Sequence, residues 1–192
     1  MENYKSLIDD LIKISGDKFI IISKWNKEPY CKGWRYGQGE ALAVVRPSTL
    51  LEFWKILQVC VKSDVIIIMQ AANTGLTGGS TPYGNNYDRP IIIINTMRIN
   101  DIQIIDNGNQ VIGLAGSTLY DLENKLKPLN REPHSVIGST SIGASIVGGV
   151  CNNSGGSLVK RGPAYTELSL YAKVNKSGKL ELINDLGVNL GS

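Results

Sequence analysis

The sequence is poor in the residues that most often build metal centres and disulfide frameworks. It contains one histidine and three cysteines, and Cys31, Cys60 and Cys151 are far apart and odd in number. This spacing fits neither paired disulfides nor a Cys-x-x-Cys metal site, and it favours a reducing compartment. We therefore expect no metal centre in this chain.

The sequence also lacks a long apolar run and an export signal. The uncharged stretch 138–159 contains six glycines and five serines, so it has no continuous apolar surface of the kind that a membrane-spanning helix requires. Residues 1–16 mix acidic residues and lysines with spaced leucines and isoleucines, unlike the compact apolar block of a signal peptide. We expect a soluble, cytoplasmic chain.

Strong charge of either sign is missing. Twenty Lys and Arg residues stand against 17 Asp and Glu residues, which gives a net charge of +3 without any basic block. Nucleic-acid-binding proteins concentrate basic residues far more strongly, so no nucleic-acid partner is expected. The hydrophobic content of 42% is instead that of a globular protein with a real core.

Helical and strand patterns occur in mixed order along the chain, which indicates an α+β fold. Apolar residues at helical spacing predict helices over 4–15, from 48 or 49 to about 62, and over 117–127. Short β-branched runs predict strands at 41–47, 65–69, 91–95, 102–106 and 110–116. The early strand–helix–strand order predicts a βαβ unit, and the turn at 175–178 predicts a late hairpin.

Three local patterns make more specific predictions. Thr49 followed by Glu52 has the form of a capping box, which places a helix start at Ser48 or Thr49. The wholly apolar run 65–69 predicts a strand covered on both faces. Residues 17–40 contain scattered glycines and Pro29 together with Trp25, Tyr30, Trp34 and Tyr36, which suggests an irregular loop pinned by its aromatic side chains.

Two uncharged, glycine-rich stretches are the candidate ligand-binding segments. The first, "QAANTGLTGGST" at 70–81, directly follows the strand 65–69, which places it at the carboxyl end of a sheet, where open α/β sheets bind ligands. Glycines there let the backbone approach a ligand and leave N–H groups for an anion. The second stretch, 138–157, includes a possible short helix over 142–150 whose first N–H groups suit an anion too.

Two loops of this kind are suited to a long diphosphate ligand such as FAD. Glycine-rich segments also serve as tight packing elements, and composition leaves that alternative open. Other nucleotide motifs are missing: no Gly-Lys-Ser/Thr occurs, which excludes a P-loop, and Gly37-x-Gly39 lacks the third glycine of a Rossmann fingerprint.

Long contiguous segments of the sequence resemble a known flavoprotein family. The segments are 37–61, beginning "GQGEALAVVRP", 66–99, beginning "IIIMQAANTGLTGG", and 129–172, beginning "LNREPHSVIGSTSIGAS". They are similar to the FAD-binding part of the quinone-dependent respiratory D-lactate dehydrogenases, within the p-cresol methylhydroxylase or vanillyl-alcohol oxidase type. The resemblance implies a two-lobed α+β FAD domain with the cofactor between the lobes.

The resemblance also implies which residues contact FAD. The positions that match the family's flavin-binding segments are Ala71, Ala72, Asn73, Thr74, Gly75, Gly79 and Ser80 in the first stretch, and Gly138, Ser145 and Gly155 in the second. Some relatives link the flavin covalently to a histidine of the first loop, but 70–81 contains neither histidine nor cysteine, so noncovalent FAD is expected. His134 is expected to be a structural residue, and no catalytic residue is assigned.

The resemblance further implies an organisation and a cellular role. Residues 1–29 would form a lead-in with a helix, 30–137 the first FAD-binding lobe and 138–192 the start of the second, with the substrate cap domain absent. The full-length family oxidises D-lactate, passes electrons to quinone and attaches peripherally to the cytoplasmic side of the inner membrane. We expect this chain alone to lack turnover and to retain FAD weakly. A noncatalytic nucleotide- or phosphate-binding module with the same fold is the alternative.

Overall fold

The computed structural model describes residues 4–134, 139–155, 160, 162, 166 and 168–187. The α-helices in this part of the chain are α1 (Lys5–Ser15), α2 (Lys24–Cys31), α3 (Leu50–Lys62), α4 (Leu119–Leu126) and α5 (Ile146–Cys151). The strands are β1 (Ile20–Ile21), β2 (Ala43–Val45), β3 (Ile66–Gln70), β4 (Ile91–Asn95), β5 (Ile102–Ile105), β6 (Gln110–Gly113), β7 (Leu170–Val174) and β8 (Leu180–Asn184). The mixture of helices and small sheets confirms the predicted α+β class.

A four-stranded sheet in the order β1-β2-β4-β3 is the centre of the fold. Strands β2 and β3 both run parallel to β4, with Val45 opposite Ile94 and Gln70 opposite Asn95. Helix α3 connects β2 to β3, so the predicted βαβ unit is present, with β4 inserted between its two strands. The carboxyl ends of β2, β3 and β4 consequently lie at one edge of the sheet, which we call the carboxyl edge.

The position of a strand in this sheet decides how deeply it is buried. All five residues of β4 are buried because it is a central strand. Strand β3 lies at the end of the sheet, is mostly half-buried and leaves Met69 42% exposed. The prediction that 65–69 is covered on both faces is confirmed in part. Ile67 packs against the core cluster on one face of the sheet and Ile66 and Ile68 against the cluster on the other, but Met69 at the end of the run is exposed.

Apolar residues cover both faces of the central sheet. On one face, Leu11 of α1 and Ile56 of α3 pack with Val45 and Ile94, and Ala172 and Leu180 of the β7–β8 hairpin pack against the same cluster. The other face holds a smaller cluster of Cys31, Ala41, Val44, Ile91 and Ile93. A third cluster joins β5 and β6 to α4.

Helix α3 begins as its sequence predicts. The Thr49 hydroxyl accepts a hydrogen bond from the Glu52 N–H over 3.1 Å, and the Glu52 carboxylate accepts the Ser48 N–H over 2.7 Å. The carboxylate thus reaches one residue beyond the usual capping box, to the residue before the cap. Both interactions fix the point at which the chain turns from β2 into α3.

Residues 17–40 are more regular than predicted. Helix α2 forms there, with the Ser23 hydroxyl accepting the Asn26 N–H, although Pro29 lies inside it and cannot donate to the Trp25 carbonyl. Tyr30 packs against the cluster that contains Cys31 and Val44, but the other predicted aromatic anchors do not pin the segment, because Trp25, Trp34 and Tyr36 are 82%, 61% and 68% exposed. The proline and the aromatic residues suggested an irregular loop, but a short capped helix tolerates both.

Two further predictions concern the second half of the chain. The β7–β8 hairpin is confirmed, and its turn is closed by Asn175, whose side-chain oxygen accepts the N–H groups of Ser177 and Lys179. Helix α5 begins at Ile146, four residues later than predicted, because Thr140–Ile142 forms a separate 3-10 turn. Gly143, with φ +89°, ends that turn.

Candidate cofactor site at the carboxyl edge

The first glycine-rich stretch starts at the carboxyl edge, where β3 ends at Gln70. We call residues 71–81 the dinucleotide loop, after the ligand that the sequence predicts for it. Gln70 and Asn95, at the ends of neighbouring strands, are both buried, and the Asn95 side chain donates to Gln70 Oε1 over 3.2 Å and to the Ala71 carbonyl over 3.0 Å. Polar side chains at the ends of two isoleucine runs thus anchor the loop to the sheet. Sequence reasoning missed both, although each is the single polar residue closing an apolar run.

The dinucleotide loop presents a row of backbone donors. Among the described residues, none of the N–H groups from Ala71 to Ser80 donates a hydrogen bond to another protein atom. At Gly75 and Gly79 an added methyl group would meet no atom within 4 Å, so the backbone is open on that side. Unused N–H groups on an open, uncharged backbone suit phosphate oxygens.

Two side chains of the dinucleotide loop hold the loop itself. The Ser80 hydroxyl donates to Asn73 Oδ1 over 2.8 Å, and the Asn73 amide donates to the Lys32 carbonyl over 2.8 Å. Asn73 adopts φ +56°, a conformation that asparagine tolerates better than most residues. Ala71, Ala72 and Thr74 are half-buried at the start of the loop. The Ser80 hydroxyl and one N–H of the Asn73 amide are thus engaged internally, which leaves the backbone as the main source of donors.

The glycines of the loop divide into open and packed positions. Gly75 and Gly79 are open, whereas a methyl group at Gly78 would lie 3.0 Å from the Tyr36 carbonyl oxygen. Gly37, with φ +87°, faces the Thr81 hydroxyl so closely that no side chain fits there. Some glycines of the segment are therefore open to a ligand, and others are needed for tight packing. Composition alone could not tell the two kinds apart.

The second glycine-rich stretch reaches the carboxyl edge through the turn after β6. The Thr96 hydroxyl donates to the Ala115 carbonyl over 3.2 Å, and Gly116 lies against the Thr96 carbonyl. Ser117 then accepts the Ile146 N–H over 2.9 Å. Ser145 itself is buried and caps α5, with its hydroxyl accepting the Gly148 N–H over 3.0 Å.

For the other two predicted residues of the second stretch, Gly138 and Gly155, no contact with the carboxyl edge is described. Gly155 has no atom within 4 Å of an added methyl group and takes no part in the hydrogen bonds of the described residues. Gly138 lies outside the described residues. The structure thus joins Ser145 to the carboxyl edge and leaves the position of the remaining second-stretch residues relative to the loop as a prediction.

The histidine and the three cysteines of the chain lie outside the dinucleotide loop in the sequence. His134 is exposed, and in the described ranges no group of three His, Cys, Asp or Glu side chains is arranged to hold a metal ion. Burial raises the pKa of the Cys60 thiol to about 12 and also raises that of Cys31, so both thiols stay protonated. No helix in the part of the chain that the structure describes has the length and apolar character needed to cross a bilayer.

A dinucleotide diphosphate fits this donor set. The loop carries ten N–H groups in sequence, Ala71 to Ser80, without charge, and its anchor residues are buried and satisfied. The residues that would hold the diphosphate by backbone contacts are those around the open positions Gly75 and Gly79.

Comparisons with solved structures define the class of fold. Residues of p-cresol methylhydroxylase superpose with a TM-score of 0.75 at 16% identity, covering 100% of this chain and 37% of that one. Alkyldihydroxyacetonephosphate synthase gives a TM-score of 0.79 at 17% identity, covering 97% of this chain and 37% of that one. The fold is therefore the FAD-domain fold of the p-cresol methylhydroxylase type, as predicted.

Sequence comparisons define the family. The model of the FAD binding domain family matches residues 41–180, so the chain belongs to this family. It is 64% identical over 187 residues to the quinone-dependent D-lactate dehydrogenase of Haemophilus influenzae and 56% identical over 187 residues to that of Escherichia coli. Each alignment covers 97% of this chain and 33% of the relative, so the chain spans about a third of the length of these curated relatives.

Proposed function

We propose that this chain is the FAD-binding part of a quinone-dependent D-lactate dehydrogenase. The identity of 64% over 97% of the chain carries the proposal, because it extends over almost the whole chain and not over a single motif. The neutral loop with its free N–H groups supplies the physical side of the argument, since it suits a diphosphate without any lysine or metal ion. The chain's own task is then to bind and orient the cofactor.

The proposed reaction of the full-length protein is oxidation of D-lactate to pyruvate. The lactate α-carbon gives up a hydride and the hydroxyl a proton, and bound FAD supplies the electron-accepting chemistry before the electrons pass to quinone. In this chain, backbone groups of the dinucleotide loop hold the diphosphate, and Gln70 and Asn95 hold the loop. Residues that bind lactate and move its proton belong to the part of the relatives that this chain does not match.

We propose that FAD is held noncovalently. The dinucleotide loop contains no histidine or cysteine, and its third residue, Asn73, has an amide that cannot form such a link. Acid precipitation distinguishes the two modes, because a noncovalent flavin stays in the supernatant while a linked one remains with the protein pellet. A yellow pellet would contradict the proposal.

The ten proposed contact residues and the division into lobes belong to the same proposal. Residues 30–137 contain strands β2, β3 and β4 of the central sheet and the dinucleotide loop, and 138–192 contain Ser145 and Gly155. The packing of Ala172 and Leu180 against the α1–α3 cluster means that the end of the second segment stabilises the first. In the full-length protein, we propose peripheral attachment to the cytoplasmic side of the inner membrane through parts outside this chain.

Titration with FAD tests the proposal directly. We expect saturable quenching of flavin fluorescence and a structured visible spectrum, with an affinity weak enough that the cofactor is lost during purification. A phosphate-binding module without redox function would bind FAD through its diphosphate alone and leave the flavin spectrum unchanged. Oxidation of D-lactate by this chain alone, with a dye as acceptor, would contradict the assignment of catalysis to the remaining part.

A further inference from the structure

Gln70 and Asn95 form a buried pair of primary amides under the dinucleotide loop. Their residues are 2% and 4% exposed, and they lie opposite each other at the ends of parallel strands β3 and β4. Each strand is otherwise isoleucine or methionine over the four preceding residues. Burying two amides in such surroundings is favourable only when their hydrogen-bonding groups are satisfied.

All four N–H hydrogens of the pair have acceptors. Gln70 Nε2 donates to the Tyr30 carbonyl over 2.9 Å and to the Ser80 carbonyl over 2.8 Å. Asn95 Nδ2 donates to Gln70 Oε1 and to the Ala71 carbonyl. The Met97 N–H donates to Asn95 Oδ1 over 3.3 Å, which fixes the orientation of that amide because a flipped group would place two donors together.

The acceptors of this pair lie at both ends of the dinucleotide loop. Asn95 holds the first residue of the loop, Ala71, and Gln70 holds Ser80, nine residues later, together with the end of α2 at Tyr30. Between these points the loop N–H groups have no acceptor in the described part of the protein. Closing such a loop costs conformational entropy, and the buried amides offset that cost before a ligand arrives.

We propose that Gln70 is a positioning residue for FAD. It contacts Ser80 and Tyr30 through buried bonds and fixes the ends of the dinucleotide loop, so that the loop N–H groups are ordered for the diphosphate in advance. The inference rests on the proposed function, because it assumes that the loop binds FAD. It assigns part of the FAD affinity to a buried side chain below the loop, supported by Asn95.

The chemistry of the amide explains why glutamine is required. Methionine has nearly the same shape but no donor, so Gln70→Met would leave the buried Tyr30 and Ser80 carbonyls without partners. Glutamate would place a carboxylate against the same two carbonyls. Only a side chain with two N–H donors and one acceptor at this reach satisfies Tyr30, Ser80 and Asn95 together.

Loop order is the first measurement. In the chain without FAD, we expect high heteronuclear 15N NOE values over residues 72–79, close to those of the central sheet. Gln70→Met should lower them across the loop. Asn95→Ala removes the bonds to Ala71, Gln70 Oε1 and the Met97 N–H but keeps the Gln70 donations to Tyr30 and Ser80, so it should lower the values at residues 72–75 and leave 78–80 unchanged. Asn95→Ala also keeps the test open if Gln70→Met does not fold. A loop that stays ordered in both variants, or is disordered in the unmodified chain, would overturn the inference.

FAD affinity is the second measurement, with Ile56→Ala as the matched control. Ile56 is fully buried in α3, away from the loop, so this variant loses stability without changing the hydrogen bonds of Gln70 and Asn95. We expect Gln70→Met to raise the Kd for FAD by about tenfold, corresponding to the loss of buried hydrogen bonds, while Ile56→Ala keeps the Kd unchanged at a temperature where both are folded. Equal affinity of Gln70→Met and the unmodified chain would overturn the positioning role alone. Absence of FAD binding by the unmodified chain would overturn the proposed function and, with it, the link between Gln70 and FAD.

Discussion

Gly78 of the dinucleotide loop packs directly against the carbonyl group of Tyr36. A methyl group on Gly78 would lie 3.0 Å from the Tyr36 oxygen and 3.1 Å from its carbonyl carbon, and the residue adopts φ +76°. Both the close approach and the left-handed backbone require glycine. This contact, with Gly37 against Thr81, joins the segment 33–39 to the end of the loop while Trp34 and Tyr36 remain exposed.

Gly78→Ala should destabilise the protein, whereas Gly79→Ala should not. The methyl group at position 78 must adopt an unfavourable backbone conformation and displace the Tyr36 carbonyl, at a cost of about 1–3 kcal/mol. At Gly79 the same methyl group meets no atom and the backbone φ is not positive, so a change within about 0.5 kcal/mol is expected. Urea denaturation of the two variants measures the difference, and equal losses would contradict the division into packed and open glycines.

Removing the cap of α3 should lower stability without affecting the cofactor site. Thr49→Ala loses the hydroxyl that accepts the Glu52 N–H, and the expected cost is about 1 kcal/mol in the free energy of unfolding. Thr49→Ser keeps the hydroxyl and serves as the control. Since Thr49 bonds only to the first turn of α3 among the described residues and not to the dinucleotide loop, the Kd for FAD should stay the same in both variants. A weaker affinity in Thr49→Ala would show that the cap also supports the site.

Much of the fold follows from short-range patterns in the sequence. Isoleucine runs specify β3 and β4 because branched side chains pack well on a sheet, and the Thr49 and Glu52 pair specifies the start of α3. The same patterns carry no information about strand order, so they could not reveal that β4 is central and β3 lies at the edge. Helix α2 was missed because Pro29 resembles a helix stop, although the Ser23 cap lies ahead of it.

The sequence predicts which segment forms the candidate site, but not which of its glycines are open to a ligand or which side chains hold it in place. Glycines and missing charges predict that 70–81 binds a ligand, yet composition treats Gly75, Gly78 and Gly79 alike. Whether each glycine is open or packed depends on the atoms that face its Cα in the folded protein, which local sequence does not show. The Gln70 and Asn95 pair depends on register between two strands 25 residues apart, and local spacing cannot show it.

The buried Cys60 thiol should make stability depend on alkaline pH. Burial raises its pKa from an ordinary value of 9.0 to about 12, so the folded state keeps the proton that the unfolded state loses between these values. The free energy of unfolding should therefore fall as pH rises above 9, and part of this slope should disappear in Cys60→Ala. Urea denaturation at pH 8 to 10 measures it. Cys151, which is exposed, provides the control, because Cys151→Ala should keep the pH dependence of the unmodified chain.

A charge placed on the dinucleotide loop should change FAD affinity in opposite directions according to its sign. Thr77 is exposed in the loop, and its side chain makes no hydrogen bond among the described residues. A charge about 6 Å from the diphosphate contributes about 0.7 kcal/mol in water, so Thr77→Lys should lower the Kd roughly threefold and Thr77→Glu should raise it by a similar factor. Thr77→Gln, of similar size and neutral, is the control. Because exposed charges are screened, both effects should shrink as salt is raised from 0.01 M toward 1 M. Equal affinities of the lysine and glutamate variants at low salt would place the diphosphate away from this loop.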